Sequence, residues 1–357
     1  MARIALLLPS LEPGGTERVT LTLAEEFLRL GDDVDLLLLR QEGALLDAVP
    51  VGVRLVPLEA RRLRNAVRPL KDYCTQVRPD VLLASMWPLT SIAVWAARRS
   101  RTRVVVAEHN TLSVEAQTWP ASARALLRPA VRWSHRQAAA RIAVSQGAAD
   151  DLALLCGLPR SAVHAIHNPI APPSPPQPGN LPDWGSAGRR ILSVGTLKPQ
   201  KNHLLLLDAF ARMARPGDRL AIVGKGSERA AIEQAAEKLG IASQLLLPGH
   251  APDPERWYAS ADLFVLSSDY EGFANVVAEA LGYGLTVVST DCPSGPAEIL
   301  KGLGRLVRVG DAVAMAEAMD EALAAPDARE AARARATAFA PAPIAARYRA
   351  LLLGTAE

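Results

Sequence analysis

Cysteine, aromatic residues, long apolar runs and an excess of either charge are all scarce in this chain. Each scarcity removes a class of protein. Cys74, Cys156 and Cys292 are the only cysteines in 357 residues and none has C-x-x-C spacing. An odd, dispersed set supplies neither a disulfide framework nor a zinc site, and it points to a reducing, cytoplasmic setting. The first apolar run, Ile4 to Leu8, stops at Pro9. It falls far below the roughly 20 residues that span a bilayer, so any membrane contact is expected to be peripheral, on the inner face. Formal net charge is only +3. Residues 1–167 hold 21 Lys/Arg against 16 Asp/Glu, and residues 168–357 hold 19 against 21. That mild basic bias suits an anionic membrane surface or acceptor; no nucleic-acid motif accompanies it. Aromatics make up 4% of the chain, so the core must be mostly aliphatic. No fixed-period repeat occurs.

Present instead is a steady alternation of short apolar runs with helical stretches, which is the pattern of parallel α/β layers. A chain this long exceeds one ordinary core, so two domains are expected. In the first half, strands are read at 3–8, 34–39, 81–84, 104–107 and 142–145, the last of them as the final strand of the domain. Residues 168–188 then carry seven prolines, Pro169, Pro172, Pro173, Pro175, Pro176, Pro178 and Pro182. Such a segment makes neither helix nor central strand and reads as a stiff connector. The expected division is a domain over 1–167, the connector over 168–188, a second domain over 189–340 and a terminal helix over 341–357.

Candidate ligand positions fall in loops that follow strands, where open α/β sheets bind ligands. After the first strand comes Gly14-Gly15-Thr16-Glu17-Arg18. The glycines allow close backbone approach, and the helix that starts there aims its amino terminus at the ligand. The loop lacks G-x-G-x-x-G, which counts against a dinucleotide fold. Glu108-His109-Asn110 closes another strand, making His109 a near-site candidate. In the second half, Thr196, Lys198 and Lys201 crowd one loop, and His250 sits in another with Pro248 and Pro252. Trp257 and Tyr258 read as core. Two basic amphipathic segments, 59–79 and 122–141, each interleave arginines with apolar residues. The first holds Arg61, Arg62, Arg64, Arg68, Lys71 and Arg78; the second holds Arg124, Arg128, Arg132 and Arg136. Their chemistry fits a solvated face or an anionic lipid surface.

The most informative stretch is residues 262–298. Leu263 to Ser267 reads as a buried strand, Ser268 to Gly272 as a turn, and Ala274 to Leu281 as a helix stopped by glycines. Within it stands Glu271-Gly-Phe-Ala-Asn-Val-Val-Ala-Glu279. This stretch resembles the signature of family 4 of the retaining glycosyltransferases of the GT-B superfamily, two glutamates separated by seven residues. Asp291-Cys-Pro-Ser-Gly-Pro-Ala-Glu-Ile299 looks like the matching loop of members that use UDP-sugars.

The resemblance implies a GT-B fold, with two Rossmann-like doubly wound domains, a cleft between them and a terminal helix that returns to the first domain. It implies transfer of a hexose or N-acetylhexosamine from a nucleotide-sugar, most plausibly a UDP-sugar. The acceptor would be lipid-linked or a glycan, and the anomeric configuration would be retained. No metal or other cofactor is implied, the nucleotide-sugar being a co-substrate. Catalytic roles fall to His109 and Glu271. The donor falls to Gly14, Gly15, Thr196, Lys198, Lys201, His250, Gly272, Phe273, Ala274, Asn275, Val276 and Glu279, with Glu279 on the ribose and Lys201 on the diphosphate. The family places an arginine where this chain has Thr196, so Lys198 or the threonine hydroxyl must supply what the arginine does. Asp33-x-Asp35 matches the metal-binding pair of transferases of another fold, but it heads a buried strand and is read as structural. Two other readings remain: a catalytically silent nucleotide-sugar-binding protein, and a nicotinamide-dependent oxidoreductase.

Overall fold

The computed structural model describes residues 1–174, 181–185, 188–251 and 253–355. The expectations placed on Pro175, Pro176, Pro178 and Pro252 lie outside the described residues. The chain divides into two compact units, Met1–Ile170 with Phe339–Glu357, and Ala171–Ala338.

The first unit is a seven-stranded parallel sheet in the order β3-β2-β1-β4-β5-β6-β7. The strands are β1 Arg3–Leu8, β2 Asp33–Leu38, β3 Arg54–Pro57, β4 Val81–Ser85, β5 Arg103–Glu108, β6 Ala140–Ala143 and β7 His164–Ala165. Central strands such as β1 are apolar at nearly every position because helices cover both faces. The helices are α1 Gly15–Arg29, α2 Val67–Gln76, α3 Leu89–Ala97, α4 Leu112–Glu115, α5 Ala121–Gln137 and α6 Gln146–Cys156. Helix α1 buries Val19, Leu23 and Phe27, one every four residues, against the sheet.

The second unit is a six-stranded parallel sheet in the order β10-β9-β8-β11-β12-β13. Its strands are β8 Arg190–Val194, β9 Arg219–Val223, β10 Leu245–Gly249, β11 Leu263–Leu266, β12 Thr286–Thr290 and β13 Arg305–Val307. Its helices are α7 His203–Met213, α8 Arg229–Lys238, α9 Glu255–Ser260, α10 Asn275–Gly282, α11 Pro296–Leu300, α12 Ala312–Ala324 and α13 Arg329–Ala336. The last helix, α14 Pro341–Leu353, packs against α1 of the first unit. There Arg349 grips the buried Asp32 carboxylate through Nε at 2.5 Å and Nη2 at 2.9 Å. The return of the terminal helix is as the sequence led us to expect.

Several local readings need correction. The segment 59–79 is not one helix: Arg61 and Arg62 precede a 3-10 turn at Leu63–Ala66, and α2 spans only Val67–Gln76. The run 142–145 does not close the first sheet, because β7 pairs in parallel with β6 beyond it. Two edge strands, β3 and β13, carry too few apolar residues to announce themselves. Among the described residues no helix is long and apolar enough to cross a membrane.

Candidate active site

In each sheet the strand order reverses beside the first strand, and loops at the carboxyl ends flanking such a reversal are where α/β sheets bind ligands. In the second unit the reversal falls between β8 and β11. The loop after β8 carries Thr196 to Lys201 and the loop after β11 carries Ser267 to Glu271. The two loops are bolted together. Lys201 Nζ donates to Glu271 Oε1 at 2.5 Å, with both side chains largely buried. Ser268 Oγ donates to the same carboxylate oxygen at 2.7 Å.

The fastening continues through the backbone. Gln200 Nε2 donates to the Tyr270 carbonyl at 2.7 Å, and the Asp269 amide donates back to the Gln200 carbonyl at 2.9 Å. Ser267 Oγ donates to the Lys201 carbonyl at 2.8 Å. Asn202 does two jobs. Its Nδ2 donates to Asp269 Oδ1 at 2.8 Å while its Oδ1 accepts the Leu205 amide and caps α7. Its backbone is left-handed at φ +43, a conformation that favours Gly or Asn. That requirement is the physical reason for the residue that follows the lysine.

A third loop, Gly224-Lys225-Gly226, lies against the first. A Cβ on Gly224 would meet the Gly195 carbonyl oxygen at 1.9 Å, and one on Gly226 would meet that of Leu197 at 2.0 Å. Leu197 exchanges backbone bonds with this region, its amide donating to Lys225 and its carbonyl accepting from Glu228. The loop that bears Lys201 is therefore held from two sides. Thr196 and Lys198 are exposed on it, so either can reach an incoming anion.

Helix α10 follows Glu271 directly. Its cap residue Ala274 is left-handed at φ +67 and no side chain caps the helix, which leaves its first amides directed at whatever occupies the loop. Phe273 is buried, so Gly272 to Val276 can serve a ligand through the backbone and Phe273 cannot serve one through its ring. Glu279 lies on α10, and its Oε2 accepts from Tyr258 Oη at 2.8 Å. Tyr258 is core, as read from the sequence, yet its hydroxyl holds the Glu279 carboxylate in place. Its ring stacks on Tyr283 at 5.5 Å. His250 is exposed at the end of β10, beside Gly249 at φ +80.

Cys292, beside this loop, is no nucleophile. Burial and the neighbouring Glu271 push its thiol up to about 12, so the thiolate is absent at neutral pH. A surface depression of about 630 Å³ lies at the opposite, amino-terminal edge of the sheet, lined by Arg189, Arg190, Asp218 and Asp262. Its arginines are already paired, Arg189 with Asp218 and Arg190 with Asp262.

In the first unit, Gly14 and Gly15 begin α1 as expected, but neither has positive φ. Instead a Cβ on Gly14 would strike the Glu17 carboxylate at 2.2 Å. That carboxylate is itself pushed up by burial. His109 follows β5 and is half-buried. Its Nδ1 has no hydrogen-bond partner, and burial pushes its pKa down to about 4. The imidazole is thus neutral at pH 7. Glu108, one residue earlier, is saturated: its carboxylate accepts from Trp87 N–H at 3.1 Å, Thr90 Oγ1 at 3.0 Å and pairs with His135 Nε2 at 3.1 Å. Asp35 is engaged by Arg54 and by Tyr73 Oη at 2.5 Å, and Asp33 pairs with Arg3 at 3.3 Å. Both acids of the D-x-D stretch are spent on packing.

Comparison with known proteins places the chain in a family. Residues 188–325 match the family described as "Glycosyl transferases group 1", and residues 13–172 match "Glycosyltransferase Family 4". The amylovoran biosynthesis glycosyltransferase AmsD of Erwinia amylovora is 28% identical over 82% of each chain. An N-acetylgalactosaminyltransferase of Campylobacter jejuni, which acts on N-acetylgalactosamine-N,N'-diacetylbacillosaminyl-diphospho-undecaprenol, is 33% identical over 49% of each chain. Among solved structures, Anabaena HepE in complex with UDP and glucose superposes with a TM-score of 0.83 at 21% identity, covering 99% of this chain and all of that one. WaaG, a glycosyltransferase involved in lipopolysaccharide biosynthesis, gives 0.75 at 17%, covering 98% of this chain and all of that one. At such identities the two structures show a shared fold, the GT-B fold. With the first half of the chain matched by the family 4 description and the second half by that of the group 1 glycosyl transferases, the protein belongs to glycosyltransferase family 4 and is a hexosyltransferase.

Proposed function

We propose that this enzyme transfers a hexose or N-acetylhexosamine from a UDP-sugar to a lipid-linked or glycan acceptor, retaining the anomeric configuration. One observation carries the reading: Lys201 and Glu271 meet at 2.5 Å at the switch point of the second sheet, beside the uncapped start of α10. An ammonium group and the positive end of a helix dipole suit a diphosphate, whose negative charge grows as the sugar departs; fixed donors there lower the barrier. Glu279, oriented by Tyr258, suits the paired hydroxyls of a ribose. Relatives that build polysaccharide and lipid-linked glycans, and a UDP-bound structural neighbour, support the choice of donor and acceptor class.

In this reading the sugar C1–O bond to the diphosphate breaks while the acceptor oxygen bonds to C1 on the same face. The acceptor proton passes to a donor phosphate oxygen, and UDP leaves. His109, neutral and with an unused ring nitrogen, hydrogen-bonds the donor without adding charge. Lys201, Lys198 and the α10 amides supply the positive potential, and no resident metal is assigned a step. A thermal-shift screen against UDP-, GDP-, ADP- and TDP-sugars tests the proposal. Stabilisation by UDP-sugars, with UDP released on adding acceptor, is expected; no shift with any nucleotide-sugar would refute it.

Peripheral contact with an anionic bilayer belongs to the same proposal. Arg61, Arg62, Leu63 and Arg64 are exposed in succession. On α5, Leu126 is 63% and Trp133 45% exposed alongside Arg124, Arg128 and Arg132. Outward apolar side chains among arginines fit a headgroup layer better than a purely solvated face.

A further inference from the structure

Two Trp-Pro dipeptides occur in the first unit, Trp87-Pro88 and Trp119-Pro120. Trp87 follows β4 and Trp119 stands two residues before α5, and the fold stacks their indoles with centroids 5.0 Å apart and planes 14° from parallel. Both tryptophans are half-buried residues. Their position is informative. Strand β4 flanks the reversal in the first sheet, between β1 and β4, so Trp87 emerges at the ligand-binding edge. The next strand, β5, ends in Glu108 and His109, and the Trp87 amide is anchored to the Glu108 carboxylate at 3.1 Å.

The indole nitrogens add a chemical signature. Trp87 Nε1 is shielded from solvent and has no hydrogen-bond partner. A buried N–H without an acceptor is costly. Such a group is tolerated most readily where a ligand oxygen completes it. His109 Nδ1, just past the end of β5 at the same edge, likewise has no partner, and its imidazole is neutral. The Glu108 carboxylate is already filled by three partners.

We propose that Trp87 and Trp119 form a stacking platform for a pyranose ring of the acceptor. The proposal rests on the glycosyltransferase reading and extends it to the acceptor side. A pyranose presents an apolar C–H face that packs on an indole and rim oxygens that can accept from Nε1–H, the combination offered here. An isoprenoid chain would leave that N–H unpaired, and a phosphate would gain no charge complement from two neutral indoles.

Saturation-transfer NMR on the full chain tests this, with methyl glycosides of glucose, galactose and N-acetylglucosamine as probes. The UDP-induced thermal shift, recorded for each variant, reports on the fold and on the second unit. Wild-type protein should transfer saturation to the ring protons of at least one glycoside. Trp119→Ala should reduce that transfer at least fivefold. Trp87→Phe, which keeps an aromatic face and loses only the N–H, should weaken binding about two- to tenfold. Should Trp119→Ala fail to fold, the Trp87→Phe result decides alone, and unchanged affinity would overturn the proposal. Undiminished transfer in Trp119→Ala would overturn it too, as would transfer to an isoprenyl phosphate probe but to no glycoside. No UDP shift in wild-type protein would count against the donor assignment instead, leaving the glycoside result to stand by itself.

Discussion

Side chains in the two units divide by what they can still bind. Lys201 is held against Glu271 at 2.5 Å, and its removal strips one fixed cation from the leaving diphosphate. Lys201→Ala should slow UDP-forming turnover by roughly 10²–10³. Glu279→Ala, which frees Tyr258, should chiefly raise the donor KM, whereas His109→Ala should lower kcat; steady-state UDP release separates the two. The histidines also predict a pH effect on stability. Burial holds His109 and His203 each down to about 4, against an ordinary value of 6.5. Between those values the unfolded chain binds more protons than the folded one, so stability falls as pH drops from about 6.5 toward 4. Thermal melts over that range should show the loss, and His203→Phe should flatten the slope. The positions most readable from the sequence were Lys201 and Glu271, as charges in strand-following loops, and Glu279, as a carboxylate on the helix that follows. Tyr258, Asn202 and Asp269 were not, because their roles depend on contacts across 21 to 67 residues that no local pattern encodes.

At the scale of elements, loops rather than strands set the site. Gly224 and Gly226 let one loop lie against the carbonyls of Gly195 and Leu197 at distances no Cβ permits. Gly226→Ala should therefore cost about 1–3 kcal/mol of stability and weaken UDP binding by displacing the loop that carries Lys201; urea melts and titration check both. The central strands and long helices were legible from apolar runs and stops, since β1 and α12 are uniformly apolar or strongly periodic. Strands β3 and β13 were not, being three or four residues long and mostly unburied. The basic segment 122–141 was legible as a helix, α5, whereas 59–79 was legible as composition but not as shape. Arg61, Arg62 and Arg64 stand in and before a 3-10 turn and not on a helix. Changing all three to Glu should reduce sedimentation with anionic liposomes several-fold, an effect that high salt should mimic; unchanged binding would remove this segment from the membrane proposal.

At the scale of the molecule, two doubly wound sheets were expected from the alternation of apolar runs, the proline-rich segment and the length, and the structure has them. The returning α14 came from the family resemblance, and its physical basis is a specific clamp. Asp32, whose side chain is fully buried, accepts both Arg349 and the Ala2 amide. Arg349→Ala leaves that carboxylate half-paired and should cost roughly 3 kcal/mol, visible as a lower melting temperature of the first unit. Lys201, Glu271 and Glu279, the charged groups proposed for the UDP moiety, all lie in the second unit, so UDP affinity should survive the Arg349 change.

Calorimetric titration with UDP, comparing wild-type protein with Lys201→Ala, bears most directly on the claim that a nucleotide diphosphate lodges at the Lys201–Glu271 pair. Saturable binding by the wild type, weakened at least tenfold in the variant, is the expected result. Equal affinity in both proteins would contradict it.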